Sequence, residues 1–155
     1  MTLFSSLYGC SLTAVSYADF HKASLQTTPF SYTKCVVKGK GDCTDSSGVV
    51  TSYDCDATFS YRNSVWSSED DSVIVRKGLV HFVNTYARDV PQDESYQYFH
   101  DADSFEVHRN DGELVEKFNE YGLISSIKGT EAIKATIQDE PSTLTVSYDL
   151  TFSYS

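Results

Sequence analysis

The chain reads as one α+β domain: a curled antiparallel β-sheet, half-barrel in form, with two helices packed on its concave face. Three observations lead there. Segments that alternate apolar and polar residues recur along most of the chain, the mark of strands with one face buried. Two stretches keep a helical period instead, one near the N-terminus and one after Trp66. The strands of the second half follow one another through short turns in meander order, so helices and sheet are segregated, as in the α+β class. A sheet of this length curls as its twist accumulates, and curling around its apolar face puts the helices in the hollow.

Size and composition agree with a single domain. A chain of 155 residues falls within the range of one domain and buries roughly 68–70% of its unfolded surface. With 40% apolar residues, 11 Tyr, 9 Phe and a Trp, it is too hydrophobic to stay disordered. The net charge of −10 excludes nucleic acid, whose phosphates it repels, and adsorption to anionic lipid. No apolar run approaches the roughly 20 residues of a membrane helix. Residues 15–155 are expected to form the domain and residues 1–14 a residual signal or tether segment.

The elements follow in order. Ser16 caps the first helix, with Asp19 three residues on as in a capping box, and Val15 and Phe20 at the positions of a hydrophobic staple. The helix runs from Tyr17 to Gln26, and Pro29 stops it. Cys35 and Val37 then alternate with Lys34, Val36 and Lys38. After the turn signal Asp45-Ser46-Ser47-Gly48, Tyr53, Cys55, Ala57, Phe59 and Tyr61 share one parity, so these two segments form a hairpin. Ser67-Ser68-Glu69-Asp70-Asp71 supplies a hydroxyl cap and an acidic first turn. Val75, Leu79, Phe82, Val83 and Tyr86 continue as one helix face, ended by Pro91.

Strands are expected over Ser95 to Phe99 and Phe105 to Arg109. Asn110-Asp111-Gly112 turns back through Leu114, Val115 and Phe118. Asn119 to Gly122 turns into Leu123 to Lys128, and Ile133, Ala135 and Ile137 alternate in a further strand. Glu140-Pro141-Ser142 is the last turn. Beyond it, Leu144, Val146, Tyr148, Leu150, Phe152 and Tyr154 alternate strictly with polar residues, which specifies one long strand.

The four cysteines make no zinc-ligand spacing. Cys43 and Cys55 flank the hairpin turn, which makes them a disulfide candidate of the kind found in extracytoplasmic proteins. The alternative is that Cys35 and Cys55 are small buried hydrophobes with free thiols. Leu7-Tyr8-Gly9-Cys10 resembles a bacterial lipobox, in which a small residue precedes a cysteine that is acylated after cleavage, so Cys10 is the candidate lipidation site. The preceding residues lack a basic n-region and a full apolar h-region.

Val15-Ser16-Tyr17-Ala18-Asp19-Phe20 opening a helix after that near-lipobox resembles the start of small uncharacterised lipoproteins of low-GC Gram-positive bacteria and mollicutes. The Tyr32-Thr33-Lys34 strand entry, the strand leading to Trp66 and Phe118-Asn119-Glu120-Tyr121-Gly122-Leu123 continue the likeness. The layout is similar to the LolA/LppX superfamily of half-barrel lipoproteins. That resemblance implies a concave apolar face that binds lipids or acyl chains under a helical lid. It carries no binding-site residue over, because those sites are apolar surfaces rather than motifs.

Candidate chemistry is sparse. His100, Asp101 and Asp103 form the densest cluster, read as a solvated acidic turn in preference to a metal site. Neither a Gly-x-Ser-x-Gly elbow nor a full P-loop around Gly39-Lys40-Gly41 is present. No catalytic residue, metal or cofactor is assigned. The aromatic residues fall mostly on the inward parity, and an aromatic-lined hollow suits an apolar ligand. The expected ligand-binding residues are therefore Tyr53, Phe59, Phe82, Tyr86, Tyr148 and Phe152.

The expected function is an extracytoplasmic, lipid-anchored domain that binds a lipid or other apolar small molecule without catalysis. It touches the membrane only through its anchor and takes no nucleic acid. Two alternatives stand beside it: a structural or protein-interaction module with a filled core, and a small α+β-barrel enzyme.

Overall fold

The computed structural model describes residues 12–68 and 80–155. Among the described residues, nine strands and two helices follow one another as β1 (Thr13–Val15), α1 (Tyr17–Ser24), β2 (Lys34–Thr44), β3 (Val50–Arg62), β4 (Val65–Ser68), α2 (Val80–Val83), β5 (Gln97–His100), β6 (Phe105–Arg109), β7 (Leu114–Phe118), β8 (Ile124–Ile137) and β9 (Glu140–Tyr154). The strands form one antiparallel sheet in the order β1-β5-β6-β7-β8-β9-β2-β3-β4, open at β1 and β4. The α+β class and the meander of β5 to β9 agree with the sequence reading. The first hairpin, β2–β3, docks on the last strand.

Local chemistry explains most element ends. Ser16 sits in the extended region, and its Oγ accepts the Asp19 N–H at 3.1 Å, satisfying a free donor of α1. Between β2 and β3, Asp45 Oδ1 accepts the N–H groups of Ser47 and Val49 at 2.9 and 3.0 Å, which closes the turn. Gln138 and Asp139, both at positive φ, make the two-residue turn from β8 to β9. The turn expected at Glu140-Pro141-Ser142 therefore lies too late in the chain. Pro141 belongs to β9, beyond the last β2 pair (Thr44 with Thr145), where β9 is an edge and tolerates a proline.

Two further differences have physical causes. The two short strands expected between Leu123 and Ile137 are one strand, because Gly129 carries β8 through a φ of +127°. The second helix does not reach Pro91. Asn84 accepts the Trp66 N–H and donates to the Trp66 carbonyl, both at 2.9 Å, so its side chain acts as a strand partner to β4. The chain then extends at Tyr86, which bridges Leu123, and Ala87–Asp89 forms a single 3-10 turn. Ser67 and Ser68 lie in β4 rather than capping a helix. Glu69 to Asp71, Val75 and Leu79 lie outside the described residues, as does Cys10.

One core unites the sheet's apolar face with both helices. Phe20 of α1 meets Tyr98 and Phe105 at ring separations of 5.3 and 5.5 Å, and Phe82 of α2 meets Tyr148 edge-on at 5.2 Å. Trp66, fully buried, packs among Phe30, Tyr61 and Tyr154. The disulfide candidate is corrected by strand register. Cys43 faces Thr51 while Cys55 faces Gly39, four positions along β2. That offset is about 13 Å at ~3.3 Å per residue, against the ~7 Å limit for a bridge. Cys35 and Cys43 are free thiols.

Candidate functional site

The six aromatic residues expected to line a ligand pocket are mostly core. Phe59, Phe82, Tyr148 and Phe152 are buried within the main cluster, and Tyr53 packs against it. Tyr86 borders an open space, a cleft of about 270 Å³ shared with Phe30, Tyr61, Arg88 and Tyr121. The hydroxyls of this face are tied down as well. Tyr53 donates to the Ser147 carbonyl and Tyr148 to Glu131 Oε1, both at 2.7 Å. Burial pushes the Tyr53 phenol up to about 12, and it raises Tyr148 with help from the Glu131 hydrogen bond. Gly41 stands beside these rings: an added Cβ would meet the Tyr53 hydroxyl at 2.4 Å. Rings lying over strand glycines fill the space a side chain would take.

The large open space lies on the opposite face. A groove of about 1780 Å³ crosses β1 and β5 to β9. Strand pairing sets its floor as two transverse rows. One runs Ala14, Phe99, Glu106, Lys117, Ser126 and Thr151; the other runs Gln97, His108, Val115, Lys128 and Asp149. All stand on the parity opposite to the core residues Tyr98, Val107, Ile127 and Leu150.

The floor is preorganised. Glu106, only 3% exposed, accepts from His108 Nε2 at 2.9 Å through Oε2, and Oε1 lies 3.5 Å from Lys117 Nζ. The His108 ring rests on Phe99 at 4.5 Å, so ring packing and carboxylate together fix its orientation. A buried carboxylate held between two donors is a satisfied charge. The rim adds Asp93, Glu94 and Glu113. Such a surface offers hydrogen-bonding and charged groups and gives an acyl chain no dry enclosure.

A second buried carboxylate points the other way. Glu116 lies on the core parity of β7 and forms an ion pair with Arg109, which also donates to the Tyr96 hydroxyl at 3.4 Å. Burial pushes the Glu116 carboxyl up to about 6, Arg109 opposing and Glu131 adding to the rise.

The remaining sequence candidates have structural employment. Asp101 Oδ1 accepts the N–H groups of Asp103 and Ser104, and His100 stacks on Phe105 at 4.4 Å, so this cluster is a turn between β5 and β6. Among the described residues, no group of three or more His, Cys, Asp or Glu gathers as metal ligands. Gly39 and Gly41 lie within β2, which no helix follows. His21 stacks on Tyr17 at 5.5 Å, and His81 is exposed. Among the described residues, no helix is long and apolar enough to cross a membrane.

Sequence reasoning missed the groove, although a signal was present. In β5 to β7 the alternation is partly inverted: Phe99 and Val115 stand on the polar face, Arg109 and Glu116 on the core face. Apolar residues on a solvent face and charges on a core face mark a site more often than a uniform pattern does. Compared with known proteins, the chain matches no family model and no curated protein.

Proposed function

We propose that this chain is a non-catalytic protein-interaction module, held outside the cytoplasm through an acylated Cys10, whose partner seats in the groove across β1 and β5 to β9. The observation that carries the reading is the division of the two faces. The apolar face is occupied by its own aromatic side chains, whereas the polar face presents an ordered, open floor. A lipid-carrier reading needs Tyr53, Phe59, Phe82, Tyr86, Tyr148 and Phe152 around a common hollow, and four of these six are buried in the core cluster. A half-barrel closed around an acyl chain is accordingly the weaker reading. The Glu106–His108–Lys117 arrangement favours binding over catalysis, since each group is already held by another.

In-cell photocross-linking tests this reading. A photoreactive residue at Lys128, on the groove floor, is expected to capture a discrete protein partner. The same residue at Thr58, exposed on β3 and outside the groove, is expected to capture none. Equal capture at both positions, or none at Lys128, contradicts the assignment.

A further inference from the structure

The geometry points to a cationic, extended peptide segment of a protein partner as the occupant of the groove, an inference that rests on the groove being the partner site. Charge comes first. Five carboxylates (Asp93, Glu94, Glu106, Glu113 and Asp149) line it against two lysines. Each lysine has a carboxylate neighbour: Lys117 lies beside Glu106, and Lys128 stands opposite Asp149 in strand register. The excess negative charge therefore falls on the rim, where Glu94 and Glu113 are exposed. The net charge of −10 draws the same partner from a distance.

Shape narrows the class. At about 1780 Å³ the groove exceeds the roughly 300–1,000 Å³ typical of small-molecule pockets, and it lies open along the surface. It spans six neighbouring strands, or about 24 Å at ~4.8 Å per strand, the reach of seven or eight extended residues. The ring of Phe99 borders it and offers an apolar face to the methylene stems and charged heads of Lys or Arg. A nucleic acid, repelled by the same rim, does not fit.

The test uses the full chain and three labelled octapeptides, alternating Lys–Thr, Glu–Thr and Ser–Thr, read by fluorescence anisotropy. The Lys–Thr peptide is expected to bind, and to bind at least tenfold more weakly in high salt than in low. Two double variants make the same charge change in different places. Glu94→Lys with Glu113→Lys is expected to weaken binding tenfold or more. Glu120→Lys with Glu140→Lys, exposed and outside the groove, is expected to weaken it less than threefold.

Equal losses in the two variants overturn the proposal, because the peptide then feels only the general field of an acidic protein. Tighter binding of the neutral or acidic peptide, with hydrogen-exchange protection confined to β5 to β9, overturns the cationic class and leaves the groove as partner site. Failure of the Lys–Thr peptide to bind also overturns the proposal. The cross-links from Lys128 then decide whether the groove reading falls with it.

Discussion

At Gly129 a hydrogen in place of a methyl group decides whether β7 and β8 can lie together. Its φ of +127° is open to glycine, and an added Cβ would stand 2.0 Å from the Glu113 carbonyl oxygen. Gly129→Ala is expected to cost about 3 kcal/mol or more, from backbone strain plus steric displacement, measured by urea unfolding. Glu116 offers a sharper experiment. Its folded-state pKa of about 6 lies above the ordinary 4.5, so the native state holds that proton more tightly than the unfolded chain. Its contribution is fully present below pH 4.5 and is lost as pH rises through 6, about 2 kcal/mol in all. Glu116→Gln is expected to flatten that part of the stability–pH curve; an unchanged curve contradicts the assignment. Thiols report on the core in the same way. Burial pushes Cys35 up to about 12, against the opposing Tyr154 hydrogen bond, while Cys43 is half-buried. An alkylating reagent should modify Cys43 before Cys35 or Cys55 in the folded protein, read by peptide mass spectrometry.

Elements were legible where local chemistry fixes them. The cap and staple around Ser16 gave α1 its start, and Ser16→Ala is expected to destabilise the protein by about 1 kcal/mol in thermal or urea unfolding. The alternation from Leu144 to Tyr154 identified β9 because period two admits one buried face. Turns misled where a proline outweighed subtler residues: Gln138-Asp139 carries no glycine, yet both residues take the left-handed conformation. The second helix was overextended for a different reason. Its apolar spacing through Tyr86 is helical, but Asn84 is claimed by Trp66, a contact between residues 18 apart that periodicity cannot see.

At the scale of the whole molecule, the pattern specified one sheet with an apolar and a polar face, and the structure has both. It did not specify which face carries the open site. Aromatic residues on the inward parity suggested a lined hollow, but ring packing among Phe82, Tyr148, Trp66 and Tyr154 occupies that side. The groove depends on the registers of β1 with β5 and of β5 through β9, which align residues far apart in sequence into two rows. The filled apolar face is the claim on which the functional reading turns. Native mass spectrometry of the protein purified from a membrane-containing host tests it most directly. The account predicts the mass of the chain and its covalent modifications alone, with no uptake of an apolar fluorescent probe; a copurified, non-covalently held lipid or fatty acid would contradict it.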